Sequence, residues 1–321
     1  VSPAAPAVSV VMANYNGARH LAEAVRSVLG QTLGDLELII VDDRSSDESL
    51  AVIDEAAAGD PRVRVFTQAQ NGGPGAARNR ALDAARGRWI AIFDSDDLME
   101  PDRLALLVQR GEAESADIVV DNLMLFSEEA PQGWPFLTDA AERWLDAGDL
   151  VGAGRLYAPG PDLGFLKPLF RATALGSLRY RTDVRIGEDY NLLLRVLLGG
   201  ARMRLEPRPL YRYRKHGAST SHRLKPEHVA QMIAVDEDLA ADFARQPPRV
   251  RRLQAARTAS LRRALVYERV IDQLKARRFA PALAQGLTHP GVWPLLTLPL
   301  KARIKRLAGR LAARPAVPAT I

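Results

Sequence analysis

Arg88-Trp-Ile-Ala-Ile-Phe-Asp-Ser-Asp-Asp97 is the stretch on which the reading of this chain turns. Its five apolar residues, Trp89 to Phe93, read as a buried strand, and three carboxylates, Asp94, Asp96 and Asp97, follow within four positions. Such a cluster repels itself unless a cation joins it. Carboxylate oxygens are hard ligands suited to Mg²⁺ or Mn²⁺, ions that bind through one or two carboxylates together with substrate phosphates. The C-terminal edge of a parallel sheet is also where open α/β folds receive ligands. A strand followed by an ordinary acidic turn is the plainer account of the same residues, and what surrounds them weighs against it.

On the N-terminal side, Val8-Ser-Val-Val-Met12 reads as a strand. The polar turn Asn14-Tyr-Asn-Gly17 leads into a helix with Leu21, Ala24, Val25, Val28 and Leu29 on one face. Leu36-Glu-Leu-Ile-Ile-Val41 is a second strand, ending in Asp42-Asp43, and Arg44-Ser-Ser-Asp47 starts a helix over about 48–58. A third strand follows at Val63-Arg-Val-Phe66. Strands alternating with helices imply βαβ units and a mainly parallel sheet. Asn71-Gly-Gly-Pro-Gly75 opens a helix over 76–85 with Arg78 and Arg80 in its first turns, which reads as an anion site or, more plainly, a tight turn.

Beyond the acidic edge, Pro101 and Asp102 start a helix to about Glu114, and Ile118-Val-Val-Asp-Asn122 is a further strand. Residues 127–160 read as an irregular excursion. Phe165-Leu-Lys-Pro-Leu-Phe170 opens a second apolar and basic stretch, leading to Val184-Arg-Ile-Gly-Glu-Asp-Tyr190 and an apolar helix over 191–198. The pair Glu188-Asp189 stands at that helix's start, either capping it or offering a general base at the mouth of a cleft. Leu210-Tyr-Arg-Tyr-Arg-Lys-His-Gly217 alternates aromatic and basic residues like an edge strand, and Ala218-Ser-Thr-Ser221 reads as a small polar loop. His216, after Arg214 and Lys215, is a candidate to face a diphosphate. Helices are expected over 229–243 and 249–278. At the end, Val292-Trp-Pro and the basic segment to Leu311 read as an interfacial anchor or a helix packed on the domain.

The chain of 321 residues can bury a sizeable core, and its 47% hydrophobic and 6% aromatic content is that of an ordinary globular protein. It has no cysteine, which excludes disulfides and thiolate metal sites and fits a cytosolic address. Residues 1–7 lack the features of a signal peptide and read as a disordered lead-in. The net charge of +6 conceals an asymmetry. Residues 1–150 hold 12 Lys+Arg against 26 Asp+Glu, residues 151–321 hold 32 against 12, and from Arg245 onward there are 17 basic and 2 acidic residues. The basic half suits a polyanion or an anionic membrane surface. No run reaches the roughly 18 apolar residues of a spanning helix, so any membrane contact is expected to be peripheral.

Taken together, Val8-Ser-Val-Val-Met-Ala-Asn-Tyr-Asn16, Ile40-Val-Asp-Asp-Arg-Ser-Ser-Asp47, Asn71-Gly-Gly-Pro-Gly-Ala-Ala-Arg-Asn79, Phe93-Asp-Ser-Asp-Asp97 and Gly187-Glu-Asp-Tyr190 resemble the inverting family 2 glycosyltransferases of the GT-A fold. The resemblance covers roughly residues 8–225. The Gly-Glu-Asp-Tyr segment and Arg214-Lys-His-Gly-Ala-Ser-Thr-Ser221 are similar to bacterial exopolysaccharide enzymes of the succinoglycan type. It implies an α/β, Rossmann-like GT-A domain over 8–225, with a nucleotide-sugar half over 8–125 and an acceptor half over 126–225. A helical, basic region over 226–321 would follow. It further implies a UDP-sugar, with UDP-glucose indicated by the narrower similarity, held by Ala13, Tyr15, Asp43, Arg78, Asp94 and Ser95. Ala13 departs from the Thr or Pro common in the family, which leaves only backbone contact there. Asp96, Asp97 and His216 would hold Mn²⁺ or Mg²⁺, Asp189 would be the base, and Glu188 and Lys215 would lie near the acceptor or diphosphate.

The chemistry fits these assignments. A leaving diphosphate needs a divalent ion and cationic donors, and a single displacement needs a base set apart from the metal cluster and no enzyme nucleophile. The expected acceptor is a lipid-linked oligosaccharide in exopolysaccharide synthesis at the inner face of the plasma membrane. Anionic lipid would meet the C-terminal region, and no nucleic acid is expected. Three rivals remain. A nicotinamide dehydrogenase would show G-x-G-x-x-G where Asn14-Tyr-Asn-Gly17 stands. A phosphatase would use Asp94 as nucleophile and Asp96 as acid. A non-catalytic binder of polyanion or membrane would tolerate loss of Asp189.

Overall fold

The computed structural model describes residues 5–184, 186–216 and 224–297. Its first half alternates strand and helix: β1 (Val8–Asn14), α1 (Ala18–Leu29), β2 (Leu36–Asp42), α2 (Ser49–Ala57), β3 (Val63–Thr67), α3 (Pro74–Ala84) and β4 (Trp89–Asp94). The apolar runs of β1, β2 and β4 are buried almost throughout, because helices cover both faces of the sheet they form. Then come β5 (Leu98–Met99), α4 (Arg103–Ala113), β6 (Ile118–Phe126), β7 (Trp134–Pro135), β8 (Arg143–Leu145), α5 (Ala147–Ala153), β9 (Leu169–Arg171), α6 (Ala172–Leu175), α7 (Glu188–Leu198) and β10 (Met203–Arg214). The helical remainder is α8 (Pro226–Asp238), α9 (Ala240–Ala244), α10 (Pro248–Lys275), α11 (Phe279–Thr288) and a 3₁₀ segment, Pro290–Thr297.

One sheet runs through the molecule in the order β3-β2-β1-β4-β9-β6-β10-β5. The long ladders β3-β2, β2-β1, β1-β4 and β6-β10 are parallel, and the short ladders of β9, β5, β7 and β8 are antiparallel. The sheet is therefore mainly parallel, as the strand-helix alternation predicts. Its register aligns the carboxyl ends of β1, β2 and β4, with Ala13 opposite both Val41 and Asp94. That alignment sets Ala13, Asp43 and Asp94 at one edge.

Three local expectations change. The segment over 203–214 is an interior strand rather than an edge, because β6 pairs along one side and β5 and β8 pair along the other. Tyr211 is accordingly fully buried, and the alternation of Tyr and Arg marks two covered faces instead of one wet face. The excursion over 127–160 holds β7, β8 and α5, the last capped reciprocally by Asp146 and Asp149. Helix α7 begins at Glu188, three residues before the expected start, since Gly187 supplies the turn at φ 91° that only glycine adopts without strain.

A buried ion pair pins the layers. Arg103 on α4 and Asp121 on β6 are both fully excluded from solvent, with Nη2 2.8 Å and Nε 3.1 Å from Asp121 Oδ1. Arg103 Nη2 also donates to the Lys167 carbonyl at 2.8 Å, and its guanidinium lies 4.9 Å from the centre of the Tyr211 ring. The main core extends from Ala7 to Val250 and takes in Leu239, Phe243 and Val250, so the start of the basic helical region packs into it. The expected polar loop over 218–221 and the basic segment from 298 onward lie outside the described residues.

Removing one member of a buried pair strands the other charge, at a cost of about 3–5 kcal/mol. Asp121→Ala is expected to lower the unfolding free energy by about that amount in urea, read by circular dichroism. A loss below about 1 kcal/mol, the level of an exposed pair, would show that the pair does not pin the layers.

Candidate active site

The site lies at the carboxyl end of β1, β2 and β4, where the sequence places its acidic turns. Asp42 is buried and accepts from Asn14 Nδ2 at 2.9 Å and from the Ser45 backbone at 2.9 Å, which ties the β1 and β2 turns together. Gly17 closes the first turn because a Cβ there would stand 2.3 Å from Asn14 Oδ1. Tyr15 projects from the same turn and is about half exposed, while Ala13 and Ser95 are half-buried behind it.

Asp43, one of the residues expected at the UDP-sugar, also ties the loop after β3 to the end of β2. It is buried, and its two oxygens accept the backbone N–H groups of Gly72 and Gly73 at 2.8 and 2.7 Å. The carboxylate thus fixes the glycine loop ahead of α3 and, through it, the start of the helix that carries Arg78. Two glycines in succession allow both amides to point at one carboxylate.

Arg78 is the centre of the charged cluster. Its Nη2 is 2.7 Å from Asp94 Oδ1, and its Nη1 lies 3.0 Å from Glu188 and 3.2 Å from Asp189, with the Tyr180 ring beneath the guanidinium. Lys167 completes it, with Nζ 2.6 Å from Asp94 Oδ2 and 3.0 Å from Asp189 Oδ2. Both cations are buried. Burial alone would raise the Asp94 and Asp189 carboxyls. The neighbouring cations outweigh it, Lys167 and then Arg78 at Asp94, Arg78 and then Lys167 at Asp189, and both stay below the usual carboxylate range. Glu188 goes the other way, raised by burial and by the charge of Asp189. The start of α7 therefore presents an ionised Asp189 beside a carboxyl that ionises less readily.

Asp96 and Asp97 diverge although adjacent. Asp96 is partly exposed and its Oδ2 is 2.8 Å from His216 Nε2. Asp97 points inward: Tyr211 Oη donates to one oxygen and the Arg214 amide to the other, each at 2.7 Å, and burial followed by the charges of Asp96 and Asp94 pushes its carboxyl up. This geometry makes Asp97 a fold residue that fastens β10 to the β4 turn. Among the described residues no three His, Cys, Asp or Glu side chains converge on one point. One carboxylate and one imidazole still suit Mg²⁺ or Mn²⁺, since such ions leave much of their shell to phosphate oxygens and water. His20 lies beside this pair, its ring 5.5 Å from that of His216, and burial holds it towards the neutral form. Lys215 continues the strand through its amide to Phe126 O at 2.7 Å.

Arg78, Asp94, Glu188 and Asp189 are thus gathered in one cluster, and Asp96 and His216 form a pair. Sequence reasoning missed Lys167, Tyr180, Tyr211, Arg214 and His20 as parts of the site. Lys167 did carry a signal, a lone lysine between apolar residues and a proline in Phe165-Leu-Lys-Pro-Leu-Phe170.

Comparison with known proteins agrees with this architecture. The family model described as Glycosyl transferase family 2 matches residues 9–160. The succinoglycan biosynthesis protein ExoO of Rhizobium meliloti (strain 1021) is 37% identical over 317 residues, covering 95% of this chain and 88% of that protein. Among solved structures, residues 1–349 of S. aureus TarS in complex with UDP align with a TM-score of 0.59 at 18% identity, over 81% of this chain and 69% of that one. The mannosyltransferase PcManGT from Pyrobaculum calidifontis, in complex with GDP-Man and Mn²⁺, aligns with a TM-score of 0.53 at 20% identity, over 98% and 82%. These two likenesses establish the GT-A fold.

Because Asp94 and Asp189 have folded values below their unfolded ones, the stabilisation from their pairing is full above about pH 4 and is lost as pH falls through the folded values. Arg78→Met removes one of the two cations and brings the folded values up. Its acid-unfolding midpoint by circular dichroism is expected to move to higher pH than that of the unsubstituted protein. An unmoved midpoint would rule out Arg78 as a holder of these carboxylates.

Proposed function

The chain belongs to glycosyl transferase family 2 and is a glycosyltransferase, and we propose that it moves a sugar with inversion from a UDP-sugar to a hydroxyl of a lipid-linked saccharide in exopolysaccharide synthesis. The observation that carries this reading is the meeting of Asp94, Arg78 and Lys167 with Asp189. A strand end, a helix start, a short connection and a second helix start bring donor-side groups and a separate carboxylate within 3.2 Å of one cation. The similarity to ExoO supports exopolysaccharide as the setting, and the UDP bound to TarS supports the nucleotide.

In this mechanism the uridine lies over Ala13 and Tyr15, the ribose and sugar border Asp94, Ser95 and Arg78, and the diphosphate turns towards Asp96 and His216. Asp96 and His216 would hold Mg²⁺ or Mn²⁺, which when bound offsets the charge gathering on the leaving diphosphate. Arg78 sets fixed positive charge beside the bond that breaks, in a place closed to water. As the acceptor oxygen bonds to the anomeric carbon and the bond to the diphosphate breaks, Asp189 takes the hydroxyl proton and UDP departs. Asp189 is kept ionised for this by the cations around it. Glu188 and Lys215 border the acceptor and diphosphate. A single displacement inverts the anomeric centre and leaves no sugar on the protein.

The C-terminal helices supply the membrane contact in this reading. Phe279, Leu283 and Leu287 recur every four residues on α11 and are 63%, 56% and 66% exposed, with Trp293 close by. After Asp272 the sequence holds nine basic residues and no acidic one. An exposed apolar stripe in a wholly cationic setting suits the headgroup region of an anionic bilayer. None of the described helices is long and apolar enough to cross a membrane.

Calorimetric titration of UDP tests the donor site. Binding is expected with Mn²⁺ and to be lost with EDTA or in Asp96→Ala, and absence of binding under every condition would sink the transferase mechanism proposed here. Asp189→Asn is expected to keep UDP binding and to lower turnover about 10²–10⁴-fold. For the membrane contact, a Phe279→Asp, Leu287→Asp double variant should no longer float with phosphatidylglycerol vesicles while UDP affinity stays the same. Undiminished flotation would reject α11 as the contact.

A further inference from the structure

Lys167 is not a strand or helix residue, yet its backbone is anchored at two successive carbonyls. Its carbonyl accepts from the buried Arg103 at 2.8 Å, and the next carbonyl, that of Pro168, accepts from Ile92 N at 3.2 Å. The side chain leaves this fixed point inside the protein, 5% exposed, and ends between two carboxylates from opposite halves of the site. Proline after Lys167 restricts its backbone to extended conformations. The side chain therefore starts from a fixed backbone and ends on its two carboxylate partners.

The two cations treat Asp189 differently. Lys167 Nζ donates a hydrogen bond to Asp189 Oδ2 at 3.0 Å. Arg78 Nη1 is 3.2 Å from Asp189 Oδ1, but that contact is charge proximity without hydrogen-bond alignment. Among the described residues Oδ1 is a buried oxygen with no hydrogen-bond partner. A buried carboxylate oxygen without a donor is costly unless a ligand supplies one. One oxygen of Asp189 is thus fixed by a hydrogen bond and the other left without a donor.

We propose that Lys167 is the positioning residue of the transfer reaction: by holding Asp189 Oδ2 against Asp94, it presents Oδ1 to the incoming acceptor hydroxyl in register with the donor sugar. The inference rests on Asp189 being the base. It assigns to Lys167 the task that the buried aspartate performs for histidine in serine proteases, orienting a base without itself exchanging a proton with substrate. Since Lys167 also touches Asp94, it links donor placement to base placement through one ammonium group with three donors. An arginine at the same point keeps charge and donors, whereas methionine keeps only the length.

The test uses the full chain with Mn²⁺, UDP-glucose as donor probe and water as the acceptor whose proton Asp189 takes, reading UDP release by hydrolysis. Lys167→Met is expected to lower kcat about 10²-fold, the lower end of what a positioned base contributes, with the KM for donor within about threefold. Lys167→Arg should recover most of the loss. In the Asp189→Asn background, Lys167→Met should add no further loss, because both act through one group. A raised KM at unchanged kcat, or a full second loss in the double variant, would overturn the proposal. Indifference to Asp189→Asn alone would instead remove the base assignment on which it rests. Independently of turnover, a crystal structure of Lys167→Met with UDP should show the Asp189 carboxylate rotated away while Asp94 and UDP keep their places. An unmoved Asp189 overturns the proposal as well. Should Lys167→Met fail to fold, Lys167→Gln, which keeps two neutral N–H donors but no charge, is read by the same two measurements.

Discussion

The ion pair of Arg103 and Asp121 is the constraint on which the rest of the structure depends. Both side chains are fully buried, so neither charge has water to fall back on, and the guanidinium must find all its partners inside the protein. It finds Asp121 on β6, the carbonyl of Lys167 before β9 and the face of Tyr211 on β10. Those three elements build the half of the sheet that is not parallel βαβ. One desolvated cation therefore holds together the strands that the local sequence leaves free to arrange themselves, and charge burial of this kind specifies an arrangement more than it adds stability.

From that pin the constraint passes to the site. Tyr211, stacked on Arg103, donates to Asp97 and accepts from the amide of Asp94 at 3.2 Å. Lys167, held by its carbonyl, reaches Asp94 and Asp189. Three carboxylates, Asp94, Glu188 and Asp189, then share two buried cations, Arg78 and Lys167. The imbalance is resolved by unequal ionisation: two carboxyls are held down by the cations, and Glu188 is pushed up by burial and its neighbour. A site arranged this way needs no mobile ion to keep Asp189 charged. It also keeps Asp189 within one residue's reach of Asp94, since Lys167 touches both.

Much of this was legible in the chain. The apolar runs ending at Asn14, Asp42 and Asp94 announced three parallel strands with polar carboxyl ends, because a strand buried on both faces is mostly apolar. Asn71-Gly-Gly-Pro-Gly75 announced a helix start, though the anion there is Asp43 of the protein's own β2 turn. Reading three adjacent aspartates as one cluster failed at Asp97. Successive residues in a tight turn face opposite ways, and only the position of β10 decides which of them is enclosed. The alternation over 210–214 misled for a related reason, since a period of two reports two distinct faces but not whether the second one is wet.

The sequence by itself determined the local elements, their order and the places where charge would gather, since periodicity, turn residues and caps act over a few positions. The tertiary structure alone decided which charges meet. Lys167 and Asp189 are 22 residues apart and Arg78 and Glu188 are 110 apart, and no local rule couples such pairs. Their partners follow from how the antiparallel strands close against β4 and β6, and that closure is set by Arg103, a buried charge that the chain must surround before it can fold at all.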